Sequence, residues 1–540
     1  MSDGLERNTR TVMSLTMVSR FSGLVREGVL SRLFGTDAVL GAFYFAFLIP
    51  NLFRRLFGEG ALAAAFLPEY QRLLDEDPQR ARAMAGLTAG GLLAGLGALV
   101  VVAECVLLLV TALPGTPGPA LWLTMIMLPF APLICGVALL GAMLQVHGRF
   151  GPTAAAPVIL NVCLAGAAGL GWWLIAPDDD RGQLMVAAGM AGSVVLAGLL
   201  QAAWSMFALR RLTRLTLDRS GLEGVRRVLR RMGPMLLGLG VLQVNTLLDG
   251  LIASWPVLSQ SDTVFGMAYP LDDHAMSTIT FAQRLYHFPL GVFGIAVATA
   301  IYPLLSSRAA DEGAFGETIR RGLRLVVFIG LPAGIGLLLV RRELTAVLLE
   351  GGNFGASDTD RVAFVLAGYA TSIWAYSAVQ VLTRGFYALG KLKTPVRVAA
   401  STVALNLVLN LILIWTPLRE AGLAWSTAIC ATIQAVVLWI LLHRHNGQTW
   451  RQDLAASMGK SVIATGVMAG AVLLVALAIG HGDSFAGWLW RLSLLVGIGG
   501  SVHVLMAIAM GMPELHWALG RTIGDTTSEA DRSQTPDDDA

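Results

Sequence analysis

Charged residues and cysteines are scarce in this chain of 540 residues. Asp, Glu, Lys and Arg together make up 14% of the chain, whereas soluble domains contain about 25%. The four cysteines lie in apolar runs without the spacing of metal ligands, so we expect small core residues and no disulfide framework. Hydrophobic residues reach 55% and the mean hydropathy is +0.65, which predicts an all-α polytopic membrane protein.

Motifs for catalysis, nucleotide hydrolysis and secretion are also missing. Gly459-Lys460-Ser461 resembles the end of a phosphate-binding loop, but Leu454 occupies the position of its required glycine. The eight histidines show no metal-ligand spacing, and Arg20 interrupts the first apolar run before any cleavage site. We therefore expect no enzyme, no cofactor and no removable signal peptide. The net charge of +3 is too small to indicate nucleic-acid binding.

Apolar runs long enough to cross a bilayer recur along the whole chain. About 20 residues of α-helix span about 30 Å of hydrocarbon. The sequence predicts about fourteen transmembrane helices, at residues 11–34, 38–68, 83–112, 119–147, 153–176, 184–209, 232–257, 275–305, 318–340, 361–389, 395–416, 421–442, 456–480 and 485–511.

A weak internal repeat divides these segments into two six-helix lobes. The basic turn between Gly141 and Pro152 resembles the turn between Gly385 and Pro395, as in carriers built from duplicated bundles. The predicted parts are an N-lobe with helices one to six, a cytoplasmic arginine-rich linker, a C-lobe with helices seven to twelve, two further helices, and an acidic cytoplasmic tail predicted to be disordered. Their ranges are 1–210, 211–231, 232–445, 446–512 and 513–540.

Loop charges predict the orientation in the membrane, because cytoplasmic loops are rich in Lys and Arg. With the N-terminus inside, the inward loops contain basic residues: Arg72, Arg80, Arg82, Arg149, the stretch 210–231, Arg308, Arg320, Arg321, Lys391, Lys393, Arg397, Arg444 and Arg451. The outward loops at 177–183 and 256–277 are acidic instead, although Arg341, Arg342 and Arg361 dilute the pattern. We expect both termini in the cytoplasm.

Arginines inside the first two apolar runs are the most informative functional signal. The charged residues are Arg20, Arg26, Glu27 and Arg32 in the first run, and Arg54, Arg55 and Glu59 around Pro50 in the second. Each charge at the bilayer centre costs about 3 kcal/mol, while each Leu, Val or Phe returns only about 0.3 to 0.6 kcal/mol. These groups should therefore face a water-filled, protein-lined cavity, and guanidinium groups there suggest an anionic cargo. A structural role, in ion pairs between lobes or at the membrane surface, is the alternative.

Helical spacing groups the charged residues of the first run. Ser19 and Arg26 are seven residues apart and share a helix face, as do Arg20 and Glu27. The second pair predicts an ion pair within the helix.

Two long motifs resemble the signature of a known family. The first is Ser14-Leu-Thr-Met-Val-Ser-Arg-Phe-Ser-Gly-Leu-Val-Arg-Glu27, and the second extends from Ala46 through Pro50 to Pro68. Arg284-Leu-Tyr-His-Phe-Pro and Lys393-Thr-Pro are further matches, so the similarity covers nearly all of the chain apart from the acidic tail. The chain resembles the MviN/MurJ-type lipid II flippases of the MOP exporter superfamily.

This resemblance implies an alternating-access flippase that moves an undecaprenyl-pyrophosphate-linked peptidoglycan precursor, lipid II, from the inner to the outer leaflet of the bacterial cytoplasmic membrane. The implied partners are this lipid and the membrane lipids, and protein partners stay open. Without an ATP motif, the energy would come from a monovalent cation gradient or the membrane potential. The residues expected to bind the substrate are Ser19, Arg20, Arg26, Arg54, Glu59 and Arg284.

Further features carry alternatives. Asp249, Asn406 and Asn410 resemble a cation site of some family members, although Asn410 replaces an expected carboxylate, and Asp249 could instead form an interhelical hydrogen bond. Gly41 and Gln283 stand where the family often has acids. Small residues favour a lateral gate between helices one and eight, or else ordinary close packing: Gly23, Gly291 and Gly294.

Two other functions are weighed against lipid II transport. The same superfamily contains exporters of drugs and of oligosaccharide lipids. A membrane-embedded transferase for polyprenyl lipids would need an acidic or histidine cluster at a membrane face, and the sequence offers none.

Overall fold

The computed structural model describes residues 2–112, 118–177, 179–291, 295–446, 451–480, 482 and 484–518. These residues are nearly all helical. The first helices are α1 (Ser2–Phe34), α2 (Ala38–Phe53), α3 (Leu62–Glu76), α4 (Pro78–Thr111), α5 (Pro119–Met127), α6 (Phe130–Val146), α7 (Gly151–Ile175), α8 (Asp180–Leu209), α9 (Leu222–Ala253) and α10 (Trp255–Ser259). The others are α11 (Ala275–Pro289), α12 (Ile295–Ser307), α13 (Glu312–Leu339), α14 (Arg341–Leu349), α15 (Ala356–Thr371), α16 (Ile373–Ala388), α17 (Lys393–Leu413), α18 (Ala421–Asn446), α19 (Arg451–Ala478), α20 (Phe485–Ala509) and α21 (Glu514–Ala518).

Each of the fourteen predicted segments corresponds to one helix or to consecutive helices. Within the described residues, eleven of these segments are long and apolar enough to cross a membrane. The three segments outside this group are α1, α9 and the pair α11 and α12. The all-helical, multi-span architecture is confirmed, and the count of fourteen crossings stays a prediction.

The second predicted segment contains an irregular turn. Pro50 lies inside α2, and the chain then forms a π-helix at Arg54–Ala61 before α3 begins. A proline removes one helical hydrogen bond, and widened turns of this kind occur often at functional sites. The irregular turn therefore begins four residues after Pro50, at Arg54.

A small hairpin occupies the predicted outward loop between α10 and α11. Its strands are β1 (Thr263–Val264) and β2 (Met267–Ala268), paired antiparallel. Phe265 and Gly266 form the turn with φ of 51° and 79°. Positive φ at both residues is typical of a tight two-residue hairpin turn.

Two compact units make up the chain, each with its own buried cluster. The first comprises Met1–Arg284, Leu348–Val365 and Ala399–Ser426, and the second Leu285–Val347, Leu366–Val398 and Thr427–Ala540. A core formed by α3, α4, α6 and α9 lies in the first unit, and one formed by α12, α13, α16 and α18 in the second. The predicted boundaries of the two lobes stay predictions.

Half of the predicted linker is helical. The helix α9 begins at Leu222, ten residues before the predicted start, and a single 3-10 turn at Arg219–Gly221 precedes it. Charged side chains near its start form ion pairs, which allows this part of the chain to be helical. Arg227 binds Glu223 and Glu69. The tail beyond Ala518 lies outside the described residues.

Candidate functional site

A buried carboxylate on α1 joins three helices. Glu27 is 2% exposed, and it forms an ion pair with the neighbouring Arg26, which is 8% exposed. The hydroxyl of Tyr44 on α2 donates to Glu27 Oε2 over 2.6 Å. Nε of Arg284 on α11 lies 3.1 Å from Glu27 Oε1. The structure therefore brings two of the predicted substrate-binding arginines to one acid.

The charges of this cluster do not cancel. Two guanidinium groups share one carboxylate, so the cluster carries one surplus positive charge. Arg26 Nε is buried without a hydrogen-bond partner among the described residues, and the Arg284 side chain is 37% exposed. A buried donor without a partner is costly, and the partly exposed Arg284 makes the surplus charge accessible to an anion. The site is therefore suited to bind an anion.

Asn161 on α7 completes the support of Arg26, and the sequence interpretation missed it. Its Oδ1 accepts from Arg26 Nη1 over 2.8 Å. Its Nδ2 donates to Ser22 Oγ at 3.0 Å and to the Ser19 carbonyl oxygen at 3.2 Å. The one available signal was a lone asparagine inside an apolar transmembrane run, which is costly unless it is bonded.

The remaining predicted substrate-binding residues have other surroundings. Arg20 is exposed, and the predicted ion pair between Arg20 and Glu27 is wrong, because Glu27 binds Arg26, Arg284 and Tyr44 instead. Arg54 opens the π-helix, and its Nε donates to Asn51 Oδ1 over 2.8 Å. Glu59 belongs to the same π-helix, but its side chain lies outside the described residues.

Of the three glycines predicted to form the lateral gate, the structure describes Gly23 and Gly291. A Cβ added to Gly23 would lie 3.6 Å from Asn161 Nδ2, so this glycine allows close approach of α7 to α1. Gly291 follows α11, and Gly294 lies outside the described residues. The lateral gate stays a prediction.

The three residues of the predicted cation site lie together. Asn410 Nδ2 donates to Asp249 Oδ1 at 2.6 Å and to Asn406 Oδ1 at 3.0 Å. Asn245 Nδ2 donates to Asp249 Oδ2 at 3.2 Å, and Ser426 Oγ donates to Asn410 Oδ1. One carboxylate among neutral oxygens fits a singly charged cation better than a divalent one. Because amide nitrogens face Asp249, the amides of Asn245 and Asn410 would have to turn to bind a cation.

Hydrogen bonds fasten the turn after α1, on the predicted outer side. Thr36 Oγ1 donates to Asp358 Oδ1 at 2.6 Å, and the Thr36 carbonyl accepts from Ser277 Oγ at 2.6 Å. Asn353 Nδ2 donates to the Leu33 carbonyl at 2.7 Å. These contacts tie the end of α1 to the segment before α15 and to the start of α11. We call this hydrogen-bonded arrangement the closed turn.

A second polar cluster lies beside this closure. Arg361 on α15 binds Glu420 and donates to Asp272 Oδ1 at 2.6 Å. Burial alone would raise the pKa of Asp272, but the hydrogen bond and charge of Arg361 lower it below its ordinary value. Arg361, which dilutes the loop-charge pattern, is thus neutralised by two acids.

Comparisons with known proteins point to one family. The model of the family described as "Lipid II flippase MurJ" matches residues 30–484. The "Probable lipid II flippase MurJ" of Vibrio cholerae is 31% identical, with 93% of this chain and 95% of that protein covered. The "Lipid II flippase MurJ" of Burkholderia cenocepacia is 30% identical, with 86% of this chain and 89% of that protein covered.

Solved structures share the fold. A structure titled "Lipid II flippase MurJ, inward closed conformation" has a TM-score of 0.74 and 20% identity, covering 94% of this chain and 99% of that one. An inward-facing MATE transporter of the MOP superfamily has a TM-score of 0.62 and 12% identity, covering 81% and 98%. With the family model spanning most of the sequence, the chain belongs to the MurJ family of lipid II flippases, which are transporters and not enzymes.

Proposed function

We propose that this chain moves lipid II from the inner to the outer leaflet of the cytoplasmic membrane, and that Arg26 and Arg284 bind its pyrophosphate. The observation that carries this proposal is the pair of arginines sharing Glu27, because it leaves one positive charge for an anion. Membership of the family and the multi-span helical fold support the cargo class. Arginine is suited to pyrophosphate because its planar fork forms paired hydrogen bonds and stays protonated.

Binding of the headgroup would exchange partners within the cluster. Arg26 keeps its bond to Asn161 and turns its free Nε towards a phosphate oxygen. Arg284 then leaves Glu27 for the phosphate, which loosens the tie between α1 and α11. Cargo binding is thereby coupled to movement of the helices that alternate access requires. Ser19, Arg20, Arg54 and Glu59 complete the proposed substrate-binding set.

The closed turn after α1 supports a cargo that enters from the inner side. Its hydrogen bonds hold the predicted outer end shut, and they must break before the headgroup can leave outward. The polyprenyl tail is too apolar for an aqueous cavity, so it stays in lipid while a lateral gate near helices one and eight opens. We keep Gly23, Gly291 and Gly294 as the proposed small residues of that gate.

Energy for the cycle would come from a monovalent cation at Asp249, Asn406 and Asn410, or from the membrane potential. Each charge moved across the membrane is worth about 2.3 kcal/mol per 100 mV. Both termini are proposed to lie in the cytoplasm.

The test uses cells depleted of their own lipid II flippase and expressing this chain. Arg26→Ala and Arg284→Ala should each abolish growth and cause lipid II to accumulate, while membrane levels of the protein stay normal. Arg26→Lys should restore growth only partly, because an ammonium group lacks the bidentate geometry. Arg149→Ala, an exposed loop position, is the matched control and should retain growth.

Two outcomes would contradict the proposal. Normal growth with both alanine variants would assign the two arginines a structural role. Accumulation of another lipid-linked precursor during depletion would favour a different exporter of the superfamily.

A further inference from the structure

Unpaired arginines and exposed leucines alternate between α8 and the first turns of α9. We name residues 207–230 the basic segment. Within the described residues, six of its arginines are exposed and form no ion pair: Arg210, Arg211, Arg214, Arg219, Arg226 and Arg230. Exposed apolar side chains lie among them, with Leu217 at 75% and Leu229 at 54%. Arg227, by contrast, is bound by Glu69 and Glu223. The other six guanidinium groups thus take no part in the ion pairs that Glu69 of α3 and Glu223 of α9 form.

The basic segment is packed against α4 and is not a free tether. Thr216 N donates to the Arg82 carbonyl at 3.5 Å, and Thr213 is buried. A Cβ on Gly86 would lie 2.2 Å from the Thr216 carbonyl oxygen, and one on Gly221 would lie 2.3 Å from Met84 N. Only glycine permits these approaches. The path of the segment along α4 is therefore fixed.

This path places the segment beside the start of the third predicted transmembrane run. Gly86 and Gly90 lie one and two helical turns inside the third predicted transmembrane segment, residues 83–112. Leu217 Cδ2 lies 3.5 Å from a Cβ built on Gly90. The helix α4 is a candidate membrane span, and only 6% of its most apolar stretch is buried within the protein. At the end of α8, Arg210 lies 4.0 Å and Arg211 5.0 Å from the ring centre of exposed Phe207. Leucine tips at the level of the acyl chains with guanidinium groups beside them are typical of interfacial membrane segments.

We propose that the basic segment is a binding surface for acidic phospholipids of the bilayer, with its leucines among the acyl chains and its free arginines on the phosphate groups. Charge decides the class of lipid, because clustered arginines beside a membrane attract anionic headgroups and not zwitterionic ones. A soluble protein partner fits less well, because the exposed Leu217 lies beside Gly90 in the apolar run of α4. This surface is separate from the buried cluster around Glu27 and goes beyond the proposed transport.

The test measures binding of fluorescent phosphatidylglycerol and phosphatidylcholine to the purified full chain in neutral detergent. The wild type should bind phosphatidylglycerol more tightly, and 0.5 M NaCl (a Debye length of about 4 Å) should largely remove the preference. A variant with Arg210, Arg211, Arg214 and Arg219 changed to Gln should lose more than about tenfold in phosphatidylglycerol affinity. Each basic group near an anionic membrane surface contributes substantially to the free energy of binding. The same four changed to Lys should retain most of it.

A control of equal charge removes four exposed cations outside the basic segment by substitution with Gln: Arg149, Lys391, Lys393 and Arg444. This control should bind phosphatidylglycerol like the wild type. Equal loss in both glutamine variants would show a net-charge effect, and unchanged binding in the first variant would show that the lipid binds elsewhere; either result overturns the proposal. Because no polyprenyl lipid is present, failure here leaves the transport proposal untouched, and loss of flipping by Arg26→Ala does not affect this binding.

Discussion

Glu27 connects charge to architecture at the scale of single residues. It receives hydrogen bonds or ion pairs from α1, α2 and α11, so one carboxylate fixes three helices. The sequence could predict the arginines, because the cost of a charge in the membrane needs only local information. It could not predict their partners, since Arg26 and Asn161 are 135 residues apart and no periodicity links them.

Asn161→Ala should reduce lipid II flipping roughly ten- to hundredfold while the protein still inserts. A hydrogen bond to a charged group contributes about 1.5–3 kcal/mol, and the substitution frees Arg26 Nη1 and releases the 19–22 turn of α1. Asn161→Asp should also impair transport, because a second carboxylate would neutralise the surplus charge that binds the cargo. Growth complementation and a vesicle flipping assay would measure both variants.

Ser193→Ala is the control for Asn161, since this buried hydroxyl bonds only the Met190 carbonyl of its own helix among the described residues. Wild-type flipping by both Asn161 variants would remove this residue from the positioning of Arg26.

The buried ion pair between Glu343 and Arg491 offers a second test at residue scale. The two side chains are 6% and 9% exposed and lie 2.7 Å apart in the second unit. Arg491→Met alone should destabilise the protein by about 3–5 kcal/mol, because it leaves an uncompensated buried acid. The double variant Glu343→Met with Arg491→Met should recover most of this loss. Unfolding in denaturant would measure both, and a double variant no more stable than the single one would show that the pair itself is the stabilising group.

At the scale of elements, hydrophobic length predicts where helices occur but not their irregularities. The π-helix at Arg54–Ala61 and the early start of α9 depend on tertiary contacts. At the start of α9, Arg227 and Arg231 lie near the buried Glu69 of α3, at 3.1 Å and 3.6 Å. The sequence could not predict the contact of Arg227 with Glu69, because the two residues are 158 positions apart.

The outer turn can be tested through Gly352. Its φ is +58°, and a Cβ there would lie 2.2 Å from the Arg32 carbonyl oxygen. Gly352→Ala combines a left-handed backbone with this clash, so we expect destabilisation of the closed turn by roughly 1–3 kcal/mol and a lower apparent melting temperature. Gly336→Ala is the control, because nothing lies within 4 Å of its Cβ position in α13. Equal melting temperatures for Gly352→Ala and wild type would mean that the turn is open in solution.

At the scale of the whole molecule, the distribution of charge has to agree with the direction of transport. Asp272 and Glu420 neutralise Arg361, which is one of the three arginines that dilute the loop-charge pattern. The unpaired arginines of the basic segment then lie on the same predicted side as the other basic loops. The proposed inner entry of lipid II, the closed outer turn and the acidic-lipid surface all require this one orientation.

Cysteine labelling in intact cells tests that orientation. In a variant with the four native cysteines replaced, Asp180→Cys and Met267→Cys should react with an impermeant thiol reagent, because both positions are exposed in predicted outward loops. Arg219→Cys should react only after the membrane is permeabilised, which also provides the control that all three positions are accessible. The positive-inside asymmetry is the physical reason, since basic loops are retained on the cytoplasmic side. Labelling of position 219 from outside would reverse the topology, and it would place the closed turn after α1 on the side from which lipid II enters.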